Sequence, residues 1–110
     1  MQKIHISIHD RIAGAEHGIC AVQDNADYLV EFSFDAEWES LNAKRAVFVW
    51  QEGDGTVAEF VSIAGNIALM PKISGSPYVL IGVTAGDGIS STAVKIPCIP
   101  SVITHAGRGE

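Results

Sequence analysis

The chain has 110 residues and a mass of 11.7 kDa, which is enough for one domain and leaves no room for a second. Its apolar fraction of 47% and its low charged fraction of 18% exclude a disordered chain. Seven Lys and Arg residues against 13 Asp and Glu residues give a net charge of −6, which argues against a nucleic-acid binder.

The branching of the side chains favours β-structure. The 10 Val, 13 Ile and 4 Thr residues far outnumber the 4 Leu and 2 Met residues, and branching at Cβ suits a pleated surface better than a helix. No apolar run reaches the roughly 18–20 residues that span a bilayer. The first ten residues alternate apolar and polar side chains, so we expect neither a signal peptide nor a membrane partner.

In the first half of the chain, alternation predicts a half-buried strand over residues 3–9, with Ile4, Ile6 and Ile8 on one face. Residues 10–17 are predicted to form a loop or a short irregular strand. A brief apolar segment follows at residues 19–22, and a turn cluster at residues 24–27.

Residues 28–34 alternate again and predict a second half-buried strand. Asp35 is then expected to cap a single helical turn over residues 36–41, because its carboxylate can accept a free backbone N–H. Trp38 and Leu41 would point from that turn to the core.

The second half of the chain is a series of strands at short spacing. Turns are predicted at residues 53–55, 65–66 and 86–88, and Pro71 confines the strand before it to a sheet edge. The segment before the third of these turns is apolar on both faces, as a central strand would be. The predicted strands are 45–51, 56–63, 67–70, 78–85 and 92–99.

About seven strands with one helical turn predict an all-β protein, an antiparallel β-sandwich of the immunoglobulin-like kind. This domain would cover residues 1–103, and residues 104–110 would form a flexible polar tail. The expected core, chosen by parity along each strand, consists of Ile4, Ile6, Val30, Phe32, Trp38, Val47, Val49, Val61, Val79, Ile81 and Val83.

The sequence lacks recognisable catalytic and cofactor-binding motifs, and we expect no enzyme activity, no metal and no cofactor. There is no nucleophile elbow, phosphate loop or dinucleotide fingerprint. His5 and His9 share a predicted strand face but lie about 13 Å apart, too far for one ion. Cys20 and Cys98 are the only cysteines, and we expect both to be free thiols, with Cys98 buried.

A surplus of apolar surface is the clearest functional signal. The strand over residues 45–51 is apolar on both faces, and a two-layer sandwich covers only one of them. The face left without cover is either that of Phe48 and Trp50 or that of Val47 and Val49, and the side chains that we select as an interface or ligand face are Phe48, Trp50 and Tyr78. Such a face predicts a protein contact, including weak self-association, and the alternative is a platform for host cell-wall glycans.

Four segments of the chain resemble a known family. They read DYLVEFSFDAEW at 27–38, KRAVFV at 44–49, YVLIGV at 78–83 with AGD at 85–87, and IPCIPSV at 96–102. They are similar to the small N-terminal domain of tail baseplate and tail-fibre proteins in phages and prophages of Gram-positive bacteria. That family has F-D-x-x-W, K-x-A-R-F, V-G-V-x-A-G-D and I-P-C motifs.

The resemblance implies a structural component of the virion tail that docks onto other tail or baseplate proteins and is assembled in the bacterial cytoplasm. Two departures stand out. The order Arg45-Ala46-Val47-Phe48 replaces the usual T-A-R-F. Family members also continue past a Gly-rich linker into a coiled coil or further domains, often as trimers, whereas this sequence stops at Glu110. The resemblance therefore implies docking for these residues and does not assign receptor binding to them.

Overall fold

The computed structural model describes residues 2–86 and 88–102, which form two β-sheets, one short helix and the core between the sheets. The elements are β1 (Gln2–His9), β2 (Ile12–Ala15), β3 (Ala21–Val22), β4 (Tyr28–Phe34), α1 (Ala36–Glu39), β5 (Arg45–Glu52), β6 (Gly55–Ser62), β7 (Ile67–Leu69), β8 (Tyr78–Thr84) and β9 (Val94–Ile99).

The strands divide into a four-stranded sheet, in the order β2-β1-β4-β7, and a five-stranded sheet, in the order β3-β9-β8-β5-β6. The expected all-β, sandwich-like architecture is confirmed, and each predicted strand is present. The additional strands are the short β2 and β3, which the sequence indicated only as a loop or irregular strand and a brief apolar segment.

The expectation of purely antiparallel sheets is wrong. β1 runs parallel to β4, and β3 runs parallel to β9. The cause is the path of the chain, since β2 folds back on β1 and β3 joins the opposite sheet before β4 returns. β4 therefore enters the first sheet from the same end as β1, which gives the parallel pair.

The core lies between the sheets and largely matches the expectation. The predicted core residues that are buried are Ile4, Ile6, Val30, Phe32, Trp38, Val79, Ile81 and Val83, whereas Val61 is half-buried. The prediction is wrong for Val47 and Val49, which are half-buried on the other side of β5.

The inward face of β5 carries Ala46, Phe48 and Trp50 instead. The register explains this arrangement, because Phe48 pairs with the inward-facing Ile81 and paired residues share a face. Burying two aromatic rings removes more apolar surface from water than burying two valines, so the aromatic parity is favoured.

Two predicted turns are confirmed in detail. Glu52 pairs with Gly55 across a two-residue turn in which Gly53 has a φ of 61°, a conformation that glycine adopts without strain. Gly65 and Asn66 have φ values of 60° and 64°, as a type I′ turn requires at both central positions. These turns fix the register of β5 with β6 and lead the chain into β7.

The predicted helical turn is also confirmed, with its end moved from residue 41 to Glu39. The Oδ1 atom of Asp35 accepts a hydrogen bond from the Trp38 N–H at 3.2 Å, and Trp38 is fully buried. No helix in the described part of the chain is long and apolar enough to cross a membrane.

The last connection differs from a tight hairpin. Gly88 has a φ of 83° and its N–H donates to the Ala85 carbonyl, but β9 starts only at Val94. Asp87, at the centre of the predicted turn, is outside the described residues, as are the domain boundary at 103 and the predicted tail 104–110.

Candidate functional site

The structure separates the three side chains that the sequence selected as an interface or ligand face. Phe48 and Trp50 are 0% and 5% exposed and belong to the core, so they do not lie on an accessible surface. Tyr78 is half-buried and lies on the opposite side of the five-stranded sheet. We call this side, which is turned away from the four-stranded sheet, the outer face.

The outer face is largely apolar at its centre. Val47 and Val49 of β5 lie there between Leu80 of β8 and Phe60 of β6. Phe60 is 52% exposed, which is high for an aromatic side chain in a strand. Side chains of neighbouring strands at these registers lie within contact distance, so the four residues form a continuous apolar patch.

A groove of about 420 Å³ opens on this patch. Its floor is the apolar patch together with Gly82, and one wall is the segment 90–93 that precedes β9. Gly82 allows that wall to approach, since a Cβ at this position would lie 2.9 Å from the Thr92 carbonyl oxygen. The wall is in turn fixed to β2 and to the turn before it, because the Ala13 N–H donates to Thr92 Oγ1 at 3.0 Å and the Thr92 N–H donates to the Arg11 carbonyl at 2.8 Å.

Two cations flank the patch, and each lies over an aromatic ring. The guanidinium carbon of Arg45 is 5.0 Å from the Phe60 ring centre, and the Lys95 Nζ is 4.8 Å from that of Tyr78. Cation–π attraction at such distances contributes about 0.5–1 kcal/mol at exposed sites. The rings therefore hold both charges on the outer face.

The outer face ends at the edge strand β6, which is the last strand of the five-stranded sheet and pairs with β5 on one side. The Ile63 N–H donates to the Lys44 carbonyl at 3.1 Å, so odd-numbered residues direct their backbone groups toward β5. Thr56, Ala58 and Phe60 consequently direct theirs away from the sheet. An edge of this length without proline can accept a further strand.

The ionisable contacts lie elsewhere in the fold, around α1. Arg11 holds Glu37 through two hydrogen bonds of 3.1 and 2.7 Å, which lowers the pKa of that carboxyl and raises the pKa of the guanidinium. The Asp10 N–H donates to Asp35 at 2.8 Å, and this bond is the main cause of the lowered pKa of Asp35. These contacts connect the β1–β2 turn to α1 and are structural.

Metal and thiol chemistry find little support in this arrangement. Within residues 2–86 and 88–102, no group of three or more His, Cys, Asp or Glu side chains is placed to hold a metal ion. Cys98 is buried, as expected, and burial raises the pKa of its thiol to about 11, with a smaller contribution from Cys20. A thiol with so high a pKa is a poor nucleophile.

Sequence reasoning missed Phe60, Leu80, Arg45 and Lys95 as members of the site. A signal for Leu80 was present, because its strand was recognised as apolar on both faces. The two cations carry no local signal, since only the register of four strands brings them to one face.

No protein-family model matches this sequence, and no curated protein or solved structure is significantly similar to it.

Proposed function

We propose that this chain is a docking module of a phage or prophage tail, a β-sandwich that binds a neighbouring tail or baseplate protein through its outer face. The observation that carries the proposal is the open apolar patch of Val47, Val49, Phe60 and Leu80 with its groove. Exposed apolar surface of this kind is costly in water and typical of protein interfaces.

The segments that resemble tail proteins support the tail context, because they coincide with the framework of the fold. The F-D-x-x-W motif ends β4 and begins α1, where Phe34 stacks on Trp38 at 6.1 Å between ring centres. The other three segments fall mainly on β5, β8 and β9. Such motifs maintain a scaffold, which is what a virion component assembled in the bacterial cytoplasm needs.

The order of strands β4 to β9 supports an immunoglobulin-like arrangement, from which the parallel pair of β1 and β4 departs. If β4, β5, β8 and β9 take the places of strands B, C, F and G, the sheet β9-β8-β5 corresponds to GFC and β6 extends it in the position of C′. β7 beside β4 then takes the place of strand E. In this scheme the outer face is the exposed side of the GFC sheet.

The glycan platform that the sequence also allowed loses its main support. Its principal stacking side chain would have been Trp50, which lies in the core. The aromatic rings that remain on the outer face, Phe60 and Tyr78, lie on different strands, and each already has a cation about 5 Å from its ring centre. We therefore favour protein docking.

A matched pair of variants tests the proposal. Phe60 on the outer face and Ile12 on the outward side of the four-stranded sheet are 52% and 60% exposed, so an aspartate at either position costs the fold little. The chain is co-expressed with the proteins encoded by its neighbouring genes, and complexes are measured by calorimetry. Phe60→Asp should weaken binding more than tenfold and Ile12→Asp should not. Equal binding by both variants would reject the outer face as the docking surface.

A further inference from the structure

Charge is distributed unevenly over this acidic molecule. The chain carries 13 acidic and 7 basic residues. Yet the strand positions described on the outer face of the five-stranded sheet hold two charged side chains, Arg45 and Lys95, and both are cations. A face of positive sign on a protein of net charge −6 selects its partner by charge as well as by shape.

The carboxylates on the strands of this sheet do not reach this face, and from another segment Glu16, which precedes β3, lines a groove together with Lys95. Glu59 pairs with Phe48 and so shares the inward side of the sheet, beyond the cover of the other sheet. Glu52 and Asp54 lie at the tip of the β5–β6 hairpin, past the Gln51 end of the apolar patch. The two cations are therefore not neutralised by carboxylates from the described strands of their own sheet.

The spacing of the cations follows from the register. Lys95 lies level with Leu80 and Val49, and Arg45 lies four residues further along β5. With about 3.3 Å per residue and about 4.8 Å between strands, their Cα atoms are roughly 16 Å apart. The groove lies between them, so the face combines an apolar centre with a positive charge at two opposite corners.

We propose that the partner presents an extended segment in which one face carries apolar side chains with a carboxylate on either side of them. Its apolar side chains occupy the groove over Val47, Val49 and Leu80, and its carboxylates pair with Arg45 and Lys95. A separation of about 16 Å lies between the roughly 13 Å and 20 Å that separate side chains four and six residues apart on one face of an extended chain. This inference rests on the proposed docking function and adds the chemistry of the partner.

The alternatives fit this face less well. A second copy docked face to face would bring cations against cations, so self-association through the outer face is weak. A nucleic acid would need many phosphate contacts, and two cations supply few of them. An acidic and apolar peptide segment satisfies both the groove and the charges.

Three synthetic peptides of about nine residues test the proposal by nuclear magnetic resonance on the whole chain. Their sequences are SESVSVSES (the Glu–Val peptide), SKSVSVSKS (the Lys–Val peptide) and SESSSSSES (the Glu–Ser peptide), so the charged residues share one face of the extended chain with the valines. The Glu–Val peptide should perturb the amides of Val47, Val49 and Leu80, and raising the salt concentration about tenfold should weaken its binding. Equal binding of the Lys–Val peptide, or no binding of the Glu–Val peptide at millimolar concentration, would overturn the proposal.

Charge-reversed variants supply the matched control. Arg45→Glu with Lys95→Glu should weaken Glu–Val binding at least tenfold. Lys3→Glu with Lys72→Glu makes the same change in net charge away from the outer face and should leave it unaltered. Equal losses in both double variants would mean that only net charge matters, and would overturn the proposed pairing.

The failures of the two proposals can be told apart with the tail-protein complex. If Phe60→Asp abolishes the complex but Arg45→Glu with Lys95→Glu does not, the docking face stands and the acidic partner is wrong. If Phe60→Asp has no effect, the docking face itself is wrong. Light scattering over a hundredfold dilution adds the last outcome, since a stable dimer lost in Phe60→Asp would identify a second copy as the occupant.

Discussion

The outward sides of β1 and β5 differ sharply although both strands contribute to one core. β1 places Lys3, His5, Ser7 and His9 outward, so its alternation of apolar and polar residues is complete. β5 places valines outward. The outward side of β1 suits water, and exposed apolar side chains of its sheet, Ile12 and Leu69, lie on the edge strands β2 and β7, whereas β5 leaves apolar surface at the centre of its sheet.

The outward polar side chains of β1 also form contacts with those of the adjacent β4. His5 Nε2 and Ser33 Oγ of the adjacent β4 lie 2.7 Å apart, and His5 Nδ1 is 3.8 Å from Glu31. The outer face shows the opposite character, with a groove and the edge strand β6. A sandwich needs only the inner face of each sheet for stability, so the apolar centre of the outer face is not required by the packing of the two sheets.

The largest expected effect comes from Phe48 and Phe60, which lie on opposite sides of the five-stranded sheet. Phe48 is fully buried, so Phe48→Ala should lower the free energy of unfolding by about 3–5 kcal/mol. Phe60→Ala removes an exposed ring and should cost less than about 1 kcal/mol. Urea unfolding of both variants measures the difference, and equal losses would place both rings in the core. Phe32→Ala, from the other sheet, should resemble Phe48→Ala.

A second pair compares glycines on the outward sides. Gly82→Ala would place a methyl group 2.9 Å from the Thr92 carbonyl oxygen, so the segment 90–93 must move, at a cost of about 1–3 kcal/mol. The alanine of Gly14→Ala meets only the Ser7 hydroxyl, at 3.6 Å, and should be nearly neutral. Thermal unfolding of the two variants gives the comparison. A neutral Gly82→Ala would mean that the wall of the groove is free to shift.

The orientation of β1 could be predicted from the sequence, whereas the orientation of β5 could not. Ile4, Ile6 and Ile8 alternate with polar residues, so only one orientation of β1 is consistent with burial. The cap at Asp35 and the turn at Gly65 and Asn66 depend on local chemistry and were equally readable. In these segments the local pattern and the tertiary environment favour the same structure.

The orientation of β5 had no such signal, because Val47 and Phe48 are both suitable for a core. Only pairing with β8 decides it, and that pairing joins residues more than 30 positions apart. The parallel pairs depend likewise on a crossing between sheets that no local pattern encodes. The candidate site was therefore recognised as surplus apolar surface, while its actual members were assigned to the wrong parity.

Acid should weaken the contacts that Asp35 and Glu37 form around α1. Asp35 and Glu37 have lowered pKa values because of hydrogen bonds from the Asp10 N–H and from Arg11. Groups with lowered pKa values stabilise the fold above their ordinary pKa and lose this contribution as pH falls below about 4. Asp35→Asn keeps an N-cap and an acceptor but removes the charge, so it should reduce the dependence of stability on pH.

Asp54→Asn is the control, since Asp54 is exposed at the tip of the β5–β6 hairpin, away from α1. Urea titrations between pH 2 and pH 7 should show the flatter profile for Asp35→Asn alone. A profile of Asp35→Asn that matches the wild-type chain would show that the contacts around α1 contribute nothing to acid sensitivity.

The smallest effect on stability concerns the two cysteines, which differ in exposure to solvent. Cys20 is exposed, whereas Cys98 is buried and its pKa is about 11. Only the thiolate reacts, so a maleimide at pH 8 should modify Cys20 quickly and Cys98 about a hundredfold more slowly. The Cys20→Ser variant should react with the maleimide only very slowly until it unfolds.

Mass spectrometry without reductant should find two free thiols per chain, because a reducing cytoplasm disfavours a disulfide. A Cys20–Cys98 bond in freshly isolated protein would contradict assembly in that compartment. Rapid labelling of Cys98 would instead show that β3 separates readily from β9, which would make this edge of the five-stranded sheet, rather than β6, the one that opens to a partner.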